Sequence, residues 1–244
     1  MKKIILLVMA LLMVAGSAVA KTKLTLGTVD WEPYYGENLK NGGVTAAIAM
    51  AAFKKVGYDI EIQFMDWNRA VGLTKSGKLD GLFGCYFTEE RSKAMSMSDS
   101  IGKTEVVLFS KKGANISYTN MESLKPYKIG GIRGNAYTNE FDSADYLKKE
   151  FVDKIEINFK KLLKGRLDLV IGSRLVLQDV FNKNFAQDLD KIEVLSPVLQ
   201  SNSLHIGFSR ELDGFEKITA DFNNGLKMIK EDGTMETITK EYGF

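Results

Sequence analysis

The chain has 244 residues, 45% of them hydrophobic, with 33 Lys and Arg against 31 Asp and Glu. That balance argues against nucleic acid or an anionic membrane surface as a partner. A single histidine rules out a His-rich zinc site, and a single cysteine rules out an internal disulfide, so stability has to come from an apolar core.

Residues 1–20 read as an export signal. Lys2 and Lys3 precede a nearly unbroken apolar run, Ile4 to Val14, and Ala18-Val19-Ala20 offers a small-x-small cleavage site near Ala20. The run is short for a bilayer span, which needs roughly 20 residues. No cysteine lies near that point, so no lipid anchor is expected. Lys2 and Lys3 leave with the signal, which makes the remaining charge neutral. The expected product is an exported, periplasmic protein.

Strand and helix signals then alternate. Lys23–Thr28 reads as a strand. Val44, Ile48, Ala51 and Ala52 place an apolar stripe on a helix ending at Gly57. Asp59–Phe64 is a second strand, Trp67–Ser76 a helix, and Leu82–Cys85 a third strand, interrupted by Gly84. Thr88 is a helix N-cap type, with Glu89 and Glu90 in the first turn and Arg91 behind them. A guanidinium at such a strand end can hold a carboxylate through two parallel hydrogen bonds. A surface arginine paired with Glu89 or Glu90 is the plain alternative.

Glu105–Ser110 is an extended apolar run. The pattern then repeats: strand Lys128–Ile132, a Gly-rich turn, a helix from about Ala136, strand Lys154–Ile157, helix Phe159–Gly165, strand Leu169–Ile171 and helix Arg174–Asn184. The Lys-rich stretch from Lys148 to Arg166 reads as a solvated helical face. Leu204–Ser209 is a second extended apolar run. Phe215, Ile218, Phe222, Leu226 and Ile229 lie on one helix, which Asp232-Gly233 breaks before Met235 and Ile238. Two βαβ units in a chain of this length predict two α/β lobes, with parallel sheets and two crossover strands. Lobe one would span 21–108 plus 203–244, and lobe two 109–202.

Several chemistries find no support. Gly207-Phe208-Ser209-Arg210-Glu211 lacks the final glycine of a nucleophile turn. Gly130, Gly131 and Gly134 miss the dinucleotide spacing, and no phosphate loop follows. No cofactor is expected. Cys85 reads as a buried strand residue and His205 as structural.

With these elements in hand, the chain resembles the family 3 periplasmic solute-binding proteins, the amino-acid-type receptors of ABC importers. Thr88-Glu89-Glu90-Arg91 fits the family's carboxylate-binding arginine motif, with Gly84 and Tyr86 facing the ligand. Leu204–Phe208, the helix after it and Asp232-Gly233-Thr234 fit its C-terminal signature. The resemblance maps its two clamp aromatics onto Trp31 and Trp67, which are the chain's two tryptophans. Two ordinary core tryptophans are the alternative.

The resemblance also maps a helix-N-terminal anion turn onto Gly134, Asn135 and Ala136, with a plain strand–helix turn as the alternative. Where relatives carry an amine-gripping Asp after the Gly165-Arg166-Leu167-Asp168 motif, this chain has Ser173, followed by Arg174. Arg69 adds a second positive group beside Trp67.

The implied function is a substrate-binding protein taking a small carboxylate-bearing solute into a cleft. It would be a monomer delivering to a membrane permease and doing no chemistry. Two other readings stay open. One is an enzyme on the same fold, of the cyclohexadienyl dehydratase type, with Glu32, Glu89 or Glu90 moving the proton. The other is a ligand-loaded partner of a sensor or chemoreceptor.

Overall fold

The structure is a computed structural model that describes residues 22–244. The export signal expected over residues 1–20 lies outside the described residues.

Ten strands form one continuous sheet, eight of them in the order β2-β1-β3-β10-β5-β8-β6-β7 and two short ones, β4 and β9, off this path. The first half holds β1 (Thr22–Thr28), β2 (Tyr58–Phe64) and β3 (Gly81–Tyr86), with α1 (Val44–Lys55), α2 (Trp67–Lys75) and α3 (Glu89–Ala94) after them in turn. β1 runs parallel to both β2 and β3. The second half repeats the arrangement. Its strands are β6 (Lys128–Ile132), β7 (Lys148–Val152) and β8 (Leu169–Ser173), and β6 runs parallel to β7 and β8. The helices here are α4 (Asn139–Ser143), α5 (Ile155–Leu163) and α6 (Arg174–Asn184).

Two ten-residue strands, β5 (Gly102–Lys111) and β10 (Gln200–Ser209), join the halves. They pair antiparallel with each other over Gly102–Val106 and Gln200–Leu204. Beyond that stretch they part. β5 continues along β8 in the second half, and β10 continues along β3 in the first. Short strands β4 (Met95–Met97) and β9 (Ile192–Val194) pair with the far ends of β10 and β5. The fold is therefore two α/β lobes connected by two crossover strands.

Each lobe has its own core. In the first, α1 packs against α7 (Phe215–Glu231), and α8 (Thr234–Glu241) follows. Phe53 and Phe222, both fully buried, meet with ring centroids 4.6 Å apart. Ile218, Phe222, Leu226 and Ile229 fall on the inner face of α7, as their 3–4 spacing requires. In the second lobe Phe109, Phe159, Phe181 and Phe185 pack together. Burying each such ring contributes about 1.5–3 kcal/mol.

Two predicted elements are corrected. Lys154–Ile157 is not a strand: the strand is Lys148–Val152, and helix starts at Ile155. Asn158, Phe159 and Leu162 are buried at helical spacing there, which outweighs the local alternation. So the run from Lys148 is part strand and part helix. The helix expected from Ala136 starts only at Asn139, capped by Thr138 Oγ1, which accepts from Phe141 N–H at 3.0 Å. Side chains hold the backbone before it: Tyr137 N–H donates to Asp142, and Asn202 donates to the Tyr137 carbonyl.

Candidate functional site

The parallel strands of both lobes end at the gap between them, which is where α/β sheets present their ligand sites. A cavity of about 640 Å³ lies there, lined by both lobes. The first lobe supplies Trp31 and Glu32 after β1, Trp67 at the start of α2, and Gly84, Tyr86 and Arg91 around the end of β3. From the second come Asn135, Ala136 and Tyr137 after β6, Ser173 at the end of β8, and one face of α6 with Asp179 and Lys183.

Arg91 is the decisive residue. Thr88 caps α3, its Oγ1 accepting from Arg91 N–H at 3.1 Å, which fixes the arginine one turn into the helix. The side chain then turns back to the strand end, where one of its terminal nitrogens donates to the Tyr86 carbonyl at 3.0 Å. The guanidinium sits over the Trp67 ring, 5.2 Å from its centroid. Arg91 is only 8% exposed. Among the described residues it has no acidic partner, and Glu90 goes instead to Lys75 at 2.7 Å. A buried cation without a counter-charge is costly. Here its free donors face a cavity large enough for a small anion.

Gly84 makes this wall possible. β10 slips by one residue between His205 and Ile206, which leaves Gly84 as a bulge at φ +72°. A Cβ there would lie 2.5 Å from the Tyr35 ring. The Tyr35 hydroxyl donates to the Gly84 carbonyl at 2.9 Å. The neighbouring thiol, Cys85, is fully buried, and burial pushes its pKa up to about 11, so it is inert.

Both tryptophans line the cavity. Trp31 stacks on Tyr34 and meets Tyr86 edge-on at 5.8 Å. Trp67 Nε1–H crosses to the other lobe and donates to the Gly134 carbonyl at 3.2 Å. Gly134 itself has φ +78°, and a Cβ on it would lie 2.2 Å from Asn68 Oδ1. The Asn68 side chain is exposed and can move aside, so it is the positive φ that favours glycine here.

Other expected residues lie elsewhere or act differently. Arg69 is exposed on α2, outside the cavity lining. Thr88 stays behind the lining as a helix cap. Asn135 and Ala136 line the cavity but stand in a loop, and the cap of α4 is Thr138. The Ser173 hydroxyl lies 2.5 Å from Thr104 Oγ1, buried at the hinge side of the cavity. Arg174 pairs with Glu105 at 2.6 Å.

Of the three carboxylates considered for proton transfer, Glu32 pairs with Lys183. Glu90 is held below the ordinary range by Lys75, and Glu89 is exposed outside the lining. Among the described residues no cluster of His, Cys, Asp and Glu could hold a metal ion, and no helix is long and apolar enough to cross a membrane.

Sequence reasoning missed Asp179, Lys183 and Tyr137. A signal for the first two existed. Val176, Asp179, Val180 and Lys183 share one face of the helix that follows β8, the face turned to the strand ends.

Residues 24–244 match the family model of bacterial extracellular solute-binding proteins, family 3. The chain belongs to that family. Its relatives carry names that fit. The arginine-binding extracellular protein ArtP of Bacillus subtilis (strain 168) is 28% identical over 93% of this chain and 89% of its own length. The ABC transporter arginine-binding protein 1 of Escherichia coli (strain K12) is 25% identical over 99% of each chain.

Among solved structures, an ancestral arginine-binding protein bound to arginine superposes with a TM-score of 0.74 at 26% identity, over 92% of this chain and 99% of that one. A histidine kinase sensor domain similar to periplasmic binding proteins reaches 0.78 at 16% identity, over 91% and 96% of the two chains, which is a likeness of fold alone. Family 3 members named here are binding proteins, which accords with a cavity lined by a buried cation.

Proposed function

We propose that this chain is the periplasmic substrate-binding protein of an ABC importer and takes a small carboxylate-bearing solute between its lobes. The observation that carries the reading is Arg91: buried, held by a helix cap and a backbone carbonyl, and free of any acidic partner among the described residues. A ligand carboxylate would supply the missing counter-charge through two parallel hydrogen bonds. Trp31 and Trp67 would hold the ligand body with flat, rigid faces. Asn135 and Ala136 would close over it from the second lobe, which we take to span about 109–202. Closure about β5 and β10 would then present a combined surface to a membrane permease. The relatives named for arginine binding and ABC transport support this role.

Ligand class follows from Ser173. The hydroxyl at this position is engaged with Thr104 and carries no charge for an ammonium. The other candidate acids for an amine are Asp30, which accepts from Glu37 N–H, and Glu32, which pairs with Lys183, so we take the ligand to be a carboxylate whose amine is read weakly or not at all. No ligand chemistry is proposed, because Glu32 and Glu90 are both committed to lysines.

Mass spectrometry of small molecules released from the natively purified protein tests the function directly. A thermal-shift screen pairing each amino acid with its deaminated acid tests the class, since a bound ligand stabilises the fold as its concentration exceeds Kd. Both members of a pair should stabilise. Stabilisation by α-amino acids alone would overturn the class and require another acid to hold the ammonium.

A further inference from the structure

The cavity lining also includes a lysine, Lys183. Lys183 projects from α6 in the second lobe, and its ammonium sits between two carboxylates. One is Asp179, a turn earlier on the same helix, at 2.8 Å. The other is Glu32, which reaches across from the first lobe. All three residues line the cavity. The two carboxylates are largely covered, with side chains 22% and 24% exposed, while the Lys183 side chain is 53% exposed. Two carboxylates, one from each lobe, thus converge on one cation in the cavity that Arg91 also lines.

We infer that Lys183 is a specificity-determining residue: a tethered cation that occupies the Glu32–Asp179 pair and selects ligands whose distal end is uncharged. This rests on the carboxylate reading of Arg91 and adds the ligand's other end to it. A cationic side chain entering the cavity meets Lys183 as a like charge and finds both carboxylates taken, whereas a neutral side chain meets neither penalty. Hydrogen bonding to Asp179 first and Glu32 second raises the lysine above its ordinary pKa, so it stays charged at neutral pH.

The pair also bridges the lobes, and a bridge alone would affect every ligand equally. The test is therefore a ratio. Calorimetry measures Kd for arginine and its neutral isostere citrulline, and for lysine and norleucine, on wild type and Lys183→Met, which keeps the stem and removes the charge. Wild type should bind the neutral member of each pair at least as tightly. In Lys183→Met the ratio should move toward the cation by about tenfold or more, the scale of one charge pair. Adding Asp179→Asn should reverse that gain.

Equal changes for both members, or a wild type that prefers the cations tenfold, would overturn the role of Lys183 while leaving the carboxylate reading intact. Failure of all four compounds to bind any variant would overturn the role of Lys183 alone, whereas an Arg91→Ala protein that retains its copurified ligand would overturn the carboxylate reading and this inference with it.

Discussion

The Arg91 guanidinium lies 5.2 Å from the centroid of the Trp67 ring, and that ring's Nε1–H donates across the cleft to Gly134. One tryptophan thus supports the Arg91 guanidinium with its face and touches the opposite lobe with its edge. The first lobe's charge and the second lobe's backbone are linked through a single side chain. A ligand that engages Arg91 therefore acts where the lobes meet.

On the proposed reading, replacing Arg91 should weaken ligand binding while sparing the fold, because none of the described carboxylates forms an ion pair with it. Arg91→Ala is expected to weaken binding by about 1.5–3 kcal/mol, roughly ten- to 150-fold in Kd. Arg91→Lys should recover only part of this, since an ammonium cannot form two parallel bonds with one carboxylate. Calorimetry on the copurified ligand measures both, and an Arg91→Ala protein of wild-type affinity would refute the role.

The two tryptophans are the whole indole content of the chain, and both line the cavity. Intrinsic fluorescence should respond saturably to ligand. Trp67→Ala should weaken binding more than Trp67→Phe, because phenylalanine keeps a ring beneath the guanidinium, a contact worth about 0.5–2 kcal/mol. Emission indifferent to ligand, with equal affinity in both variants, would count against the clamp.

What the sequence made legible follows the range of the interactions involved. Helix α6 is legible at Arg174–Asn184, its observed bounds, because a buried strand before it and its own polarity are local signals. Arg91 could be placed because a cap residue three positions earlier fixes its turn. The strand misplaced at Lys154–Ile157 failed for the opposite reason. Local alternation there competes with burial of Asn158, whose Nδ2 donates to the Gly131 carbonyl 27 residues away. Glu32 and Lys183 lie 151 residues apart, and only the assembled lobes bring them together. Arg69 stands two residues from Trp67, yet helix geometry turns it outward, so nearness in sequence misled there.

Gly84 should tolerate no side chain. A Cβ at φ +72° is strained in itself, and this one would overlap the Tyr35 ring, which is fixed by its own hydroxyl bond to Gly84. Gly84→Ala is expected to cost about 2–4 kcal/mol from backbone strain and overpacking together. In a chain of this size that lowers Tm by about 2–4 °C per kcal/mol. Thermal unfolding measures it, and an unchanged Tm would mean that the bulge relaxes freely.

The Asp-Gly break after α7 should carry a pH signature. Asp232 pairs with Lys55 at 2.7 Å and accepts from Thr234 N–H, and the Lys55 hydrogen bond is the main cause that holds its pKa down, at about 2. A carboxylate with a depressed folded-state pKa binds protons less readily in the native state than in the unfolded one. Its stabilisation is therefore present in full above the unfolded value, about 3.9 for an aspartate, and is lost as pH falls toward 2. Asp232→Asn removes the charge at every pH. Urea unfolding should find the variant less stable than wild type near neutrality, with the gap narrowing as pH drops below about 4. Added salt should shrink the gap too, because the pair is exposed and screened. A gap that stays constant down to acid pH would mean that the loss does not come from the carboxylate's charge, and would remove Lys55 from the account.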